Sequence, residues 1–121
     1  LFLIYKLSNK NMSLKQATSI IQTHIKEAKV INVTSVGGGC INDTFKCETT
    51  KGTFFVKVNH KSFSKTMFEA EFKGLTSLKE TNTIYVPTPL KYGELPNSKG
   101  GFLILEYCNM RYLSNQDQRK V

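Results

Sequence analysis

At 121 residues the chain has room for one domain. Its 40% hydrophobic and 11% aromatic content suffices for a core and excludes a disordered polar chain, and no apolar window is long enough to cross a membrane. The formal charge of +8 favours anionic partners, but the lysines are scattered rather than interleaved with aromatics, so nucleic acid is not the expected one.

The opening LFLIYK is apolar but short. It has no basic lead and no small-residue cleavage site, so it does not read as a signal peptide. The chain does not begin with methionine, and residues 1–11 read as an extra or disordered segment ahead of Met12. Residues 13–29 follow as an amphipathic helix with Leu14, Ala17, Ile21, Ile25 and Ala28 on one stripe. Ser13 and Gln16 have the spacing of a capping box at its start. His24 lies beside the stripe and reads as a packed or half-exposed side chain rather than a catalytic one.

The most informative stretch is SVGGGCINDTFKCETTKGTFFVKVN, residues 35–59. Gly37, Gly38 and Gly39 separate an apolar run (Val30, Ile31, Val33, Val36) from an alternating one (Ile41, Thr44, Phe45, Cys47). A second turn at Thr50-Lys51-Gly52 leads into Phe54-Phe55-Val56-Lys57-Val58. This is the pattern of three antiparallel strands joined by tight turns. Lys57 interrupts the most apolar of them, and a buried ammonium is costly unless an anion meets it.

Residues 64–80 predict a second helix, with Met67, Glu71, Leu75 and Leu78 on one face. Glu71 is therefore the acid that geometry favours as the partner of Lys57, whereas Glu69 points outwards. Val86-Pro87-Thr88-Pro89 is extended because a residue before proline avoids the helical region. Leu90 to Leu95 reads as a strand, Pro96 to Gly101 as a hairpin turn, and Phe102-Leu103-Ile104-Leu105 as a buried strand. Polarity returns in Glu106-Tyr107-Cys108-Asn109-Met110, and Leu113 to Val121 could begin another helix. No repeat or low-complexity linker divides the chain.

Strand, glycine turn, strand, lysine strand, glutamate helix, hairpin and polar connector are, in that order, the parts that nucleotide handling needs. Glycines let backbone amides approach phosphate oxygens. A lysine on the floor strand supplies charge, and an inward glutamate holds it. A connector after a buried strand offers backbone groups to a flat base.

Here the sequence resembles the N-terminal lobe of the protein-kinase-like superfamily and, more closely, the fructosamine-3-kinase (ketosamine-3-kinase, protein-ribulosamine 3-kinase) family. The matching segments are GGGCIND (37–43), FFVKVN (54–59), MFEAEFKGL (67–75), VPTPLKYG (86–93) and GFLILEYCNM (101–110). The resemblance implies an α+β fold: a five-stranded antiparallel sheet, one inward-facing helix and an N-terminal helix, with the lobe over residues 12–110 and a linker to a C-terminal lobe from 111 to 121. It implies ATP-dependent phosphorylation of the sugar 3-hydroxyl of ketoamine adducts on glycated proteins or small ketoamines, which reverses early glycation. Lys57 would contact the α/β-phosphates and Glu71 would pair with it. Gly37, Gly38, Gly39 and Cys40 would cover the phosphates. Leu105 would lie at the back of the base pocket. The Glu106 carbonyl and Cys108 N–H would bond adenine, with Tyr107 between them. No catalytic residue or metal ligand is expected within these 121 residues; the base and the Mg²⁺ ligands of the family belong to the C-terminal lobe, so the chain is expected to be truncated and inactive by itself. A related aminoglycoside- or choline-kinase-like lobe and a non-catalytic nucleotide-binding module remain the alternatives.

The three cysteines, Cys40, Cys47 and Cys108, contain no Cys-x-x-Cys pair and, with two histidines, no zinc pattern. A reducing, cytoplasmic setting is the default. Cys40 follows the glycines directly, where backbone amides and Lys57 favour a thiolate, and could link two chains under oxidation. Cys47 reads as core.

Overall fold

The computed structural model describes residues 2–36, 42–82, 86–96 and 98–107, with backbone alone for residues 2–12. Helix α1 (Phe2–His24) is followed by β1 (Val30–Ser35), β2 (Asp43–Thr49), β3 (Gly52–Asn59), α2 (Ser64–Thr81), β4 (Pro89–Glu94) and β5 (Gly101–Glu106). The strands form one antiparallel sheet in the order β1-β2-β3-β5-β4. Every strand expected from the sequence is present, and the architecture is the kinase-like N-terminal lobe.

The sheet is covered on both faces, and strand alternation sorts the side chains between them. Phe54, Val56 and Val58 of β3 join Phe45 and Cys47 of β2 and Phe102 and Ile104 of β5. Ala17, Ile20 and Ile21 of α1 close this face, all 0–2% exposed. The intervening residues of β3, Phe55 and Lys57, stand on the other face. There Leu103 and Leu105 of β5 bury Phe68 of α2, flanked by Met67, Phe72 and Leu75. Phe72 also meets Tyr92 of β4 with ring centroids 5.2 Å apart.

Both edge strands carry a bulge. Pairing skips Ile31 between Val30 and Asn32, and Leu90 between Pro89 and Lys91. These two residues are among the few exposed large apolar side chains, at 70% and 38%. An extra residue bends an edge strand and interrupts its free ladder, which discourages pairing with another chain.

Three details of the sequence reading are corrected. Helix α1 starts at Phe2 rather than residue 13 and ends at His24 rather than residue 29. Ser13 is thus mid-helix and caps nothing; it is fully buried, and its hydroxyl bonds to Asp43 and His60 instead. Beyond His24 the chain turns, and Glu27 adopts a left-handed conformation, φ 62°. In α2 the anchoring residue is Phe68, at 0% exposure, whereas Leu78 is 43% exposed and lies off the buried face. Asn82 closes α2 in the left-handed region, with its N–H on the Lys79 carbonyl.

Candidate nucleotide site on the α2 face of the sheet

The residues of interest gather where β3 faces α2. Lys57 lies opposite Thr44 of β2 and Leu103 of β5. Its alternation partner Phe55 lies opposite Lys46 and Leu105. Seven residues separate Ser64 from Glu71, two helical turns, so the burial of Ser64 and Phe68 against the sheet also turns Glu71 towards β3. Lys57 Nζ donates to Glu71 Oε1 at 2.6 Å.

The side chains of this pair remain 27% and 31% exposed. It is a partly exposed pair rather than the deeply buried one that the apolar strand suggested. That partial exposure has a chemical consequence. An ammonium has three donors, and one is committed to Glu71. With the side chain partly exposed and steadied by a carboxylate, the other two are free to meet an anionic oxygen. Glu69, expected to point outwards, is only slightly more exposed than Glu71, at 36% against 31%: it pairs with Lys73 at 3.0 Å, and hydrogen bonds from Lys73 and then from Tyr92 of β4 help hold its carboxyl below the usual range.

At the end of β5 the chain turns away through Glu106 and Tyr107. The Glu106 N–H donates to the Thr88 carbonyl (2.8 Å) and the Tyr107 N–H to the Thr53 carbonyl (3.0 Å). The Tyr107 ring packs on Phe55, with centroids 5.2 Å apart, and Lys46 Nζ stands 4.6 Å over its centre. Phe55, Lys46 and Tyr107 therefore form one aromatic and cationic step beside Lys57. The sequence reading placed Tyr107 at the connector but not this cluster, although Lys46 and Phe55 share a register position across one hairpin. Leu105 is 4% exposed behind them. Gly37, Gly38, Gly39, Cys40 and Cys108 lie outside the described residues.

The other singled-out groups are elsewhere. Cys47 is buried in the α1-side core, and burial pushes its thiol up to about 12. His24 stacks on Phe102 at 5.0 Å on the α1 side, where desolvation and then Lys91 lower its pKa. A surface hollow of about 290 Å³ between α2 and β4 is lined by Thr76, Lys79, Glu80, Thr88 and Pro89, and includes neither Lys57 nor Glu71. Among the described residues no helix is long and apolar enough to cross a membrane.

A five-stranded antiparallel sheet whose third strand carries a lysine ion-paired to the following helix defines the small lobe of the protein-kinase-like fold. Comparison with known proteins narrows the class. The fructosamine kinase family model matches residues 12–121, and the chain belongs to that family. It is 44% identical over 79 residues to ketosamine-3-kinase from Mus musculus, covering 65% of this chain and 25% of that protein. It is 46% identical over 89 residues to a chloroplastic protein-ribulosamine 3-kinase from Arabidopsis thaliana, covering 74% and 27%. A crystal structure from Haemophilus somnus 129PT, assigned as a fructosamine-3-kinase, superimposes with a TM-score of 0.63 at 30% identity, over 78% of this chain and 32% of that one. The chain thus spans about a quarter of the length of the curated relatives it matches.

Proposed function

We propose that this chain is the ATP-binding lobe of a ketoamine kinase acting on fructosamine or ribulosamine adducts of glycated proteins. The observation that carries the reading is the 2.6 Å contact between Lys57 and Glu71, partly exposed where β3 meets α2. The relatives named ketosamine-3-kinase and protein-ribulosamine 3-kinase support the substrate class.

The residues present fit a nucleoside triphosphate. Lys57 offers oriented donors to anionic phosphate oxygens, and Glu71 keeps the ammonium from swinging to solvent. Phe55 and Tyr107 supply apolar surface of the kind that a flat base needs. Gly37 to Gly39 and Cys40 would lie over the phosphates, and the backbone of Glu106 and Cys108 would bond the base. ATP supplies the phosphoryl group that is transferred. On this reading Mg²⁺ and the general base come from the length of the relatives that this chain does not span, and the 121 residues alone do not turn over. We place the protein in the cytoplasm, and the linking of two chains through Cys40 remains part of the same proposal.

The test is direct. Incubation of the full-length gene product with ATP and a fructosyl-lysine peptide should add one phosphoryl mass to the peptide, followed by loss of the sugar. An unmodified peptide, with ATP intact, would reject the reading.

A further inference from the structure

One corner of the lobe gathers buried polar groups that the proposed phosphate and base contacts do not use. Asn59 ends β3 two residues after Lys57, and is 3% exposed. Its Oδ1 accepts the Lys61 N–H at 2.9 Å and lies 2.7 Å from the Ser64 hydroxyl, whose one proton is shared with the Lys61 carbonyl at 2.6 Å. Its Nδ2 donates to Asn42 Oδ1 at 2.7 Å. The amide has one workable orientation, because a backbone N–H can be met only by the oxygen, and this turns the nitrogen towards Asn42.

The three partners belong to different elements. Asn42 lies immediately before β2, in the sequence just after the glycine run. Ser64 is the first residue of α2, on the same face as Glu71 two turns on. A tilt of the helix about Ser64 would therefore move the Glu71 carboxylate against Lys57.

The corner has no slack. At Gly100, φ 114°, a Cβ would lie 2.0 Å from the Asn59 carbonyl oxygen; at Gly101 it would lie 2.8 Å from the Lys65 nitrogen. The backbone at Gly100 and at the start of β5 thus leaves no room for a side chain against Asn59 and the first turn of α2. Helix α1 is tied to the next residue along each strand: the buried Ser13 hydroxyl lies 3.3 Å from Asp43 Oδ2 and 3.0 Å from His60 Nε2.

We propose that Asn59 is a positioning residue for the nucleotide site. One buried amide sets Asn42 at the entry to β2, the lysine strand and the start of the glutamate helix in a common register. This inference rests on the kinase reading above.

The experiment measures KM for ATP, kcat and thermal stability in the full-length protein. Asn42→Ala and Ser64→Ala should each raise KM for ATP several-fold. Among the described residues Asn42 and Ser64 are linked only through Asn59, so the double variant should be no worse than the stronger single one. Asn59→Asp keeps the acceptor for Lys61 and Ser64, and the Asn42 amide can rotate to donate to it. It should retain most of the ATP affinity that Asn59→Leu loses. A merely structural role predicts lowered melting temperatures with wild-type KM in the folded variants. Wild-type KM in Asn42→Ala and Ser64→Ala, or penalties that multiply in the double variant, overturns the role of Asn59. Should Asn59→Leu not fold, the half-buried Asn42 keeps the test open. A wild-type protein without ATP dependence removes the kinase reading, and this inference with it, whereas an active wild type with unresponsive variants removes the inference alone.

Discussion

Lys57 and Glu71, fourteen residues apart in sequence, meet at 2.6 Å across the junction of a strand and the helix that follows it. With both side chains more than a quarter exposed, the contact is worth little to the fold. Solvated ion pairs typically contribute up to about 1 kcal/mol, since screening and side-chain entropy offset the attraction. Glu71→Gln should therefore leave the denaturant midpoint close to that of the wild type. A loss of several kcal/mol would mean that the pair is a structural strut rather than a poised charge.

The stability of the α2 face rests instead on Phe68. It is fully buried against Leu103 and Leu105. Truncation leaves a cavity beneath the helix, and Phe68→Ala should cost about 3–5 kcal/mol in equilibrium unfolding. An unfolding free energy within about 1 kcal/mol of the wild type would show that α2 is held by something else.

Phe68 also marks what the sequence could and could not reveal. Strand alternation around Lys57 is strict, so β3 and its neighbours were legible, and the period of α2 correctly turned Glu71 inwards. The same period placed Met67 and Leu75 on the packed side but also Leu78, which is exposed, and it passed over Phe68, whose burial is decided by packing against β5. Ser13 looked like a helix cap because serine is common there; what buries it is Asp43 and His60, thirty and forty-seven residues away. Asn59 carries a signal of its own in the sequence. It shares the face of Phe55 and Lys57 by alternation, and a polar residue closing an apolar strand needs partners.

Cys47 gives a chemical check on the α1-side core. Burial raises its thiol from an ordinary value of 9.0 to about 12. The folded thiol therefore stays neutral where the unfolded one ionises. Its contribution to stability is complete below pH 9 and is lost as pH rises towards 12. Alkylation followed by peptide mapping at mildly alkaline pH should leave Cys47 unlabelled in the native protein and label it in denaturant. Rapid labelling of the native protein would show the core to be open.

Gly100 tests the tightness of the Asn59 corner. Alanine there would face both a left-handed backbone and the Asn59 carbonyl oxygen 2.0 Å from its Cβ. Gly100→Ala should destabilise by more than about 1 kcal/mol, whereas Gly74→Ala, with open space around it, should be neutral or stabilising. Equal melting temperatures for the two variants would contradict the close approach.

The central claim is that Lys57, held by Glu71, receives the phosphates of ATP. Calorimetric titration of ATP into the full-length protein, wild type against Lys57→Met, tests it most directly. The account predicts saturable binding by the wild type and an affinity at least about tenfold weaker, a loss of about 1.4 kcal/mol, in a variant that still melts cooperatively. Equal affinity in the two proteins would place the nucleotide elsewhere.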